Sequence, residues 1–234
     1  MNNATIQLKI QQRLNKLASQ DYDNIECWQI VESFNKAQVS WCRRQLHGMN
    51  QKQEGDEQSK RRIDDLQVIL KEEVINLSTK KHFVESSDLP ADYFEWKRVS
   101  AFAKDPCCKN DRKMVIYLAE EANVDELLRD ENKKPSFPWG ETFCTLKSNK
   151  VRIFTNDEFS IDEATLSYYK QPLRIQIKGC VDPYTTVLST EDVESEFKDD
   201  IIELMIDESV KILAGDLESF NQVQTATGQV ESNN

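Results

Sequence analysis

The clearest strand pattern of the chain lies in FPWGETFCTLKSNKVRIFTNDEFSIDEATLSYYKQPLRIQIKGCV, residues 137–181. Within it, segment 173–178 alternates strictly between apolar and polar residues and places Leu173, Ile175 and Ile177 on one face. Strict alternation is typical of a strand with one buried face. The stretch therefore predicts a β scaffold, and none of its residues by itself performs chemistry.

Upstream in the same stretch, two short apolar segments flank a polar turn. Segments 142–146 and 151–155 enclose Lys-Ser-Asn-Lys, in which Asn149 tolerates a positive φ. Two strand-like segments around such a turn predict a β-hairpin. Segment 165–169 supplies a further predicted strand.

Helical periodicity lies on both sides of this β region. Segment 4–18 carries an apolar stripe at helical spacing, and a second helix is predicted over 25–47, ended by Gly48. A third helix is predicted over 190–214, because Ser189 and the acids after it resemble a helix start.

Weaker patterns fill the middle of the chain. Segments 93–103 and 114–118 predict two strands paired across a polar loop, and 124–129 predicts a short helix. Segment 63–77 predicts a helical turn leading into a strand, and 82–90 reads as a connector.

Together these elements predict an α+β fold. Its antiparallel β core is expected to be a sandwich or a curled sheet, flanked by an N-terminal helical hairpin and a long C-terminal helix. The predicted organisation is 1–58 for the helical hairpin and its loop, 59–189 for the β-rich core, 190–216 for the C-terminal helix packed with the N-terminal helices, and 217–234 for a polar tail or arm.

Composition limits the classes of function. The chain has 234 residues, of which 38% are hydrophobic and 30% charged, and a formal net charge of -11. The hydrophobic fraction is low for a chain of this length, so part of the chain is expected to be solvated or held by partners. The negative charge argues against a nucleic-acid surface made by the whole chain. No apolar run is long enough for a membrane span, and the first residues lack the pattern of a signal peptide.

Catalytic and metal-binding patterns are missing from the sequence. Six cysteines show no CxxC spacing and only two histidines occur, so neither a metal nor a cofactor is predicted. The cysteines are expected to be small, partly buried hydrophobes in a reducing cytosol. No phosphate loop, dinucleotide glycine fingerprint or Gly-x-Ser-x-Gly elbow is present. The sequence therefore predicts a protein that is not an enzyme.

Aromatic and arginine residues form the candidate subunit or partner interface. Trp28 and Trp41 lie on one face of the second helix, where they either pack inside the chain or meet another subunit. Arg43 and Arg44 follow directly, and Lys60 begins a basic triplet that is either solvated or in contact with an acidic neighbour. The full set of candidates is Trp28, Trp41, Arg43, Arg44, Arg61, Arg62, Trp139, Tyr168 and Tyr169.

A family resemblance rests on several segments in a fixed order. They are FNKAQVSWCRRQ at 34–45, LPADY at 89–93, PSFPW at 135–139, YYKQP at 168–172, and FKDDIIE at 197–203 continuing to LAGD at 213–216. In these segments the chain resembles the neck, or head-to-tail connector, proteins of tailed bacteriophages, in particular those of crAss-like phages. The likeness extends over about residues 25–220.

The resemblance implies a structural virion protein made in the host bacterial cytoplasm. Copies would form a homo-oligomeric ring, dodecameric like the portal, that contacts the portal protein and other neck or tail proteins. DNA would pass through the channel without specific binding, and no membrane would be involved. Two alternatives remain open: a small phage-encoded enzyme with a pocket around His82 or a cysteine, and a nucleic-acid-binding accessory protein that uses Arg43, Arg44 and residues 60–62.

Overall fold

The computed structural model describes residues 1–17, 25–47, 60–105, 111–216 and 227–228. This part of the chain contains five α-helices and seven β-strands. The helices are α1 (Asn3–Leu17), α2 (Cys27–His47), α3 (Lys60–Leu66), α4 (Val124–Arg129) and α5 (Asp199–Asp216). The strands are β1 (Leu70–Thr79), β2 (Phe83–Ser86), β3 (Tyr93–Lys104), β4 (Arg112–Leu118), β5 (Glu141–Lys147), β6 (Lys150–Phe154) and β7 (Ser160–Lys170).

The chain divides into two compact units. The helical unit combines Met1–Val68 with Pro172–Asn234, and the barrel unit is Ile69–Gln171. The barrel unit is narrower than the 59–189 expected for the β-rich core. The predicted tail at 217–234 lies outside the described residues except at 227–228, and so does the predicted loop at 49–59.

The barrel unit is a closed barrel in the order β1-β2-β6-β5-β4-β3-β7, with β7 paired to β1. Neighbouring strands are antiparallel except β4 and β5, which are parallel. A parallel pair needs a long crossover connection, and here residues 119–140, including α4, provide it.

The predicted fold class is therefore wrong in its architecture. The core is a closed, mixed barrel, not an antiparallel sandwich or curled sheet flanked by a long C-terminal helix. The reason is tertiary: β7 pairs with both β1 and β3, and β2 joins β1 to β6, so the sheet closes on itself. The segment 82–90, predicted to be a connector, contains the short strand β2 that completes this closure.

Local predictions within the barrel are confirmed. The hairpin of β5 and β6 turns at Ser148 and Asn149, whose φ angles are 51° and 60°. Two positive φ angles in a two-residue loop match the twist of a hairpin. The pair β3 and β4, the strand β7 and the helix α4 are also present where they were expected.

Alternating side chains fill the barrel. Buried residues from every strand form one apolar cluster, so the inward positions are occupied by protein atoms. Its members are Ile75, Val84, Leu89, Val99, Ala101, Ala103, Met114, Ile116, Cys144, Val151, Ile153, Phe159, Ile161, Ala164, Leu166 and Tyr168.

In the helical unit, α5 packs against both α2 and α1. The seam between α1 and α5 is charged: Lys9 and Arg13 form ion pairs with Glu203, and Arg13 also with Asp207. In the seam between α2 and α5, the hydroxyls of Ser33 and Ser209 lie 2.8 Å apart and are buried. The helix predicted from 190 begins only at Asp199.

Two predicted elements of this unit are absent because tertiary contacts replace them. Segment 173–178 belongs to no strand, and its backbone makes a single bridge, between Gln176 and Val193. Val193 lies inside the stretch expected to be the first turns of the C-terminal helix. Both backbone groups of Val193 bond to Gln176, so residues 190–198 do not form the helical ladder and the helix begins only at Asp199.

Candidate interaction surfaces

Strand β4 is apolar on both faces. Met114 and Ile116 point into the barrel and are buried, whereas Val115 and Tyr117 point outward and are 52% and 53% exposed. Successive side chains of a strand lie on opposite faces, so the apolar run from Met114 to Leu118 gives β4 apolar side chains on its outer face as well.

The neighbouring strand β3 extends this wall. Phe102 is 59% exposed and pairs in register with Lys113, so it lies diagonally beside Val115. Phe102, Val115 and Tyr117, with the charged residues of β3 and β4 around them, are called the barrel wall surface below. Exposed apolar groups of this size that lie side by side are typical of interaction sites.

The barrel wall surface carries charges of both signs. Strand β3 carries three basic residues and one acid, and β4 carries two basic residues and no acid, in a chain of net charge -11. Arg98 pairs with Glu72 at 3.2 Å and Lys104 with Asp162 at 2.7 Å. Within the described residues, Arg112 and Lys113 form no ion pair. The acid Glu141 lies in register with Val115 and is hydrogen-bonded to Tyr117. The surface is therefore apolar and carries both basic and acidic side chains.

A shallow depression of about 410 Å³ adjoins Phe102. Val74, Ser100 and Thr165 line it, together with Lys104 and the acids Asp111, Asp162 and Glu163. In register, Val74 lies opposite Thr165 and Thr165 opposite Ser100, so the depression runs across the outer faces of β1, β7 and β3.

Trp139 precedes β5 and is 80% exposed. The next residue, Gly140, has a φ of 71°, and its carbonyl accepts a hydrogen bond from Val115 N at 2.7 Å. A Cβ at position 140 would lie 2.8 Å from Arg112 Nε. Glycine at position 140 thus lets the chain turn close against β4. Because Gly140 is hydrogen-bonded to β4, the preceding residue Trp139 is held near that strand.

The helical unit presents a second exposed apolar element, residues 179–189. Its backbone closes as a small loop through Ser189 N to Cys180 O at 2.8 Å and Asp182 N to Val187 O at 2.9 Å. Val187 and Leu188 are 64% and 60% exposed. These residues, with the acids that follow to 196, are called the acidic hairpin below.

The acidic hairpin carries charge of one sign. Residues 179–197 contain five acids and no basic residue. Glu191 and Glu194 are exposed, and neither contacts a described residue through a hydrogen bond or ion pair. Arg174 covers one side of the hairpin with its guanidinium 4.0 Å from the centre of the Tyr184 ring. The hairpin is therefore apolar and acidic.

Buried side-chain amides of α1 and α2 bind the backbone of the segment 173–176, which leads into this hairpin. Asn35 Oδ1 accepts from Ile175 N at 2.9 Å, and Asn35 Nδ2 donates to Ile175 O at 3.3 Å. Gln38 Nε2 donates to Leu173 O at 3.2 Å, and Asn3 Nδ2 donates to Gln176 O at 2.8 Å. Backbone groups that would bond to a sheet are here satisfied by side chains.

A disulfide ties the hairpin to α2. Cys27 at the helix start is bonded to Cys180, with the Cα atoms 5.9 Å apart. The expectation of free thiols is wrong for these two residues. Cys42 and Cys144 are free and buried, as expected, and Cys107 and Cys108 lie outside the described residues.

Several sequence-predicted interface residues pack inside the chain. Trp41 is buried against Phe197, with ring centroids 5.5 Å apart, and Tyr168 and Tyr169 are buried in the barrel unit. These three side chains are not available to the surfaces described above. Sequence alone could not tell whether these aromatic residues pack in the core or at an interface, because core and interface residues both recur with the period of the helix or strand that carries them.

The remaining predicted residues lie in several places. Trp28 is partly exposed and lines a depression of about 190 Å³, and Trp139 is exposed. Arg43 is exposed, whereas Arg44 Nη2 lies 3.1 Å from the buried Glu208 Oε2. The side chains of Arg61 and Arg62 lie outside the described part of the chain.

Sequence reasoning missed Phe102, Val115 and Tyr117. A signal was available in RKMVIYL at 112–118, where apolar residues occupy both alternating sets of positions after Lys113. In a strand with one solvated face, the outward set is normally polar.

Within the part of the chain that the structure describes, the groups capable of nucleophilic chemistry do not lie together. Burial raises the pKa of Cys42 and of Cys144 to about 12, so both thiols stay protonated at neutral pH. His82 Nδ1 lies 2.8 Å from Asp157 Oδ2 on the surface. Neither of the two depressions includes a histidine or a cysteine. No three His, Cys, Asp or Glu side chains of the described residues are placed to hold a metal ion.

Among the described residues, no helix combines the length and apolar character that crossing a membrane requires.

Comparison of the chain with protein-family models and with curated proteins found no match.

Proposed function

We propose that the chain is a structural virion protein of a tailed bacteriophage, and that copies of it form a ring in the neck between portal and tail. The observation that carries the proposal is the barrel wall surface, on which Phe102, Val115 and Tyr117 are each more than half exposed. Burial of such side chains against another protein is favourable, at about 25 cal/mol per Å² of apolar surface. A neighbouring copy is the partner that a ring supplies.

Two further observations support this role. The segments quoted above, from 34–45 to 213–216, resemble segments of phage neck proteins in their amino-acid sequence and in their order along the chain. The net charge of -11 suits a ring around a DNA channel, because negative charge keeps phosphate from adhering. In this role the protein binds portal-side and tail-side proteins, uses no cofactor and catalyses no reaction.

Oligomeric state tests the proposal directly. We expect the purified full chain, alone or with portal protein, to form closed rings of about twelve copies, matching the rotational symmetry of the portal. Mass photometry gives the copy number, and negative-stain electron microscopy shows closure. A chain that stays monomeric with portal protein present, and that mass spectrometry does not find in purified virions, would contradict the proposal.

A control separates self-association from adhesion to DNA. The proposal expects no retardation of duplex DNA by the assembled protein at physiological salt, since specific and non-specific binding both need clustered basic contacts. Tight DNA binding that is lost on replacing Arg43 and Arg44 by alanine would instead favour the nucleic-acid-binding alternative.

A further inference from the structure

The Cys27–Cys180 disulfide joins a surface loop to the start of α2. Cys27 is the first residue of the helix and is half-buried, whereas Cys180 is 5% exposed. Cys180 is also the only buried residue in 176–196. A segment with so few buried contacts has little local stability of its own, so the position of the loop depends on this residue.

The backbone of loop 179–189 is bonded to itself. Among the described residues, each backbone-to-backbone hydrogen bond of the loop has both ends within 177–189. Gly179 N donates to Ser189 O at 2.9 Å, and Ser189 N donates to Cys180 O at 2.8 Å. The loop is thus a closed unit, and the disulfide is its covalent link to α2.

The chain on both sides of the loop is held without the disulfide. Asn35 binds both backbone groups of Ile175, and Asn3 Nδ2 donates to Gln176 O at 2.8 Å. Gln176 and Val193 exchange two backbone hydrogen bonds, at 3.1 and 2.9 Å. Loss of the disulfide therefore leaves both ends of the loop in place and frees only the residues between them.

We propose that the Cys27–Cys180 disulfide is a redox latch, whose reduction by a thiol frees loop 179–189 from α2 while the helices keep their fold. The latch goes beyond the proposed function, and it does not depend on whether copies of the chain form a ring.

A low-molecular-weight thiol of the glutathione class is the reductant. Its thiolate attacks Sγ of Cys27, the more exposed of the two sulfurs, the S–S bond breaks, and Cys180 leaves as a thiolate that takes up a proton. A second thiolate then attacks the reductant sulfur of the mixed disulfide, so Cys27 leaves in the same way. Two reductant thiols are oxidised to one disulfide, and their two electrons reduce the protein disulfide to two thiols.

The tethered loop makes the latch reversible. Because the chain stays bound at Gln176 and Val193, Cys180 remains close to Cys27 after reduction, and a short tether gives the two thiols a high effective concentration. The bond can therefore form again in an oxidising medium. In the proposed role, the chain is made in a reducing cytoplasm and later leaves the cell, and the latch would close at that step.

Hydrogen–deuterium exchange of the full chain tests the latch, with the protein oxidised or reduced by dithiothreitol. Labelling times are chosen too short for the amides of α1, α2 and α5 to exchange. Reduction is expected to speed exchange in peptides that cover 179–189 at least about tenfold, because the hydrogen bonds of a freed loop open to water. The three helices should show no change over the same times.

Two variants separate the disulfide from other causes. The chain with Cys27→Ser and Cys180→Ser should exchange in the loop as the reduced original chain does, with or without dithiothreitol. Arg174→Ala removes a guanidinium that lies 4.0 Å from the centre of the Tyr184 ring, and the loop of this oxidised variant should remain protected. Circular dichroism checks that each variant is folded.

Three results of the exchange experiment would overturn the latch. Loop exchange that does not change on reduction means that the disulfide does not hold the loop. Exchange that rises equally in the three helices means that the disulfide holds the whole helical unit. Loss of loop protection in oxidised Arg174→Ala would assign the attachment to the contact with Tyr184.

Thiol alkylation followed by mass spectrometry tests reversibility. In a glutathione buffer with excess thiol, Cys27 and Cys180 should be alkylated, and in a buffer with excess glutathione disulfide they should be protected. A bond that stays oxidised in the first buffer would be a permanent crosslink, and thiols that stay reduced in the second would show that the latch never closes. Neither result bears on ring formation, so the latch and the proposed function can fail separately.

Discussion

Asn35 binds Ile175 through both backbone groups of that residue, accepting from its N–H at 2.9 Å and donating to its carbonyl at 3.3 Å. A helix side chain thus replaces the partner strand that the alternation at 173–178 had suggested. The contact joins α2 to the segment that carries the acidic hairpin.

Replacing Asn35 by alanine should lower the free energy of unfolding by about 2–3 kcal/mol. Two hydrogen bonds are lost, and the buried backbone groups of Ile175 are left without a partner. Urea denaturation followed by tryptophan fluorescence measures the change. Asn132→Ala, at an exposed position, is the control and should change the free energy by less than about 0.5 kcal/mol. Equal effects of the two substitutions would show that the Asn35 contact does not hold the segment.

Reduction of the Cys27–Cys180 disulfide should destabilise the helical unit. The bond joins residues separated by 153 positions, and a loop of that length gives an upper limit of about 5 kcal/mol from chain entropy. The measurement is the thermal transition of the protein with and without a reducing agent. A variant with both cysteines replaced by serine should melt at the lower temperature in both conditions, and a reductant effect that persists in this variant would point to other cysteines.

The ion pair of Lys71 with Asp92 predicts a pH-dependent term in the stability of the barrel unit. The hydrogen bond from Lys71, at 2.7 Å, is the main cause that lowers the pKa of Asp92, and the hydroxyl of Tyr168 adds to it at 2.8 Å. A carboxyl with a lowered folded-state pKa stabilises the fold above its unfolded pKa of about 3.9, and this contribution is lost as the pH falls through the folded value.

Lys71→Met should therefore cost stability at neutral pH and nothing at low pH. Both partners are more than a third exposed, so solvent screens the ion pair and the expected loss at pH 7 is small. Chemical denaturation at a series of pH values measures the difference from the original chain. Lys81→Met, which removes an exposed lysine without an ion pair to a described residue, should show no such pH dependence. A difference that grows as the pH falls would have the wrong sign.

Phe102→Ser should weaken self-association while leaving the monomer stable. The side chain is 59% exposed, so its loss from the monomer should change the free energy of unfolding by less than about 0.5 kcal/mol. In the ring contact the same side chain is buried, and truncating an aromatic anchor commonly costs more than about 1 kcal/mol of binding. Mass photometry and urea denaturation give the two quantities. Unaltered assembly would remove Phe102 from the interface.

Local signals predicted the elements whose partners lie nearby in the chain. The turn at Ser148 and Asn149, the alternation of β7 and the stripes of α1 and α2 each lie within a few residues, and the structure contains all of them. The candidate surfaces were only partly predictable. Trp139 was identified and is exposed, whereas Tyr168 and Trp41 were identified and are buried. The residue type alone does not determine whether other parts of the chain cover an aromatic side chain.

The sequence by itself determined where most helices and strands form, since side-chain period and turn residues act over a few positions. Only the tertiary structure decided that the strands close into a mixed barrel, that Asn35 and Val193 hold the segment 173–178 away from any sheet, and that Cys27 meets Cys180. An alternating segment has one face to bury and a row of backbone groups to satisfy. Which partner satisfies them depends on residues distant in the chain, and these become neighbours only when the whole chain has folded.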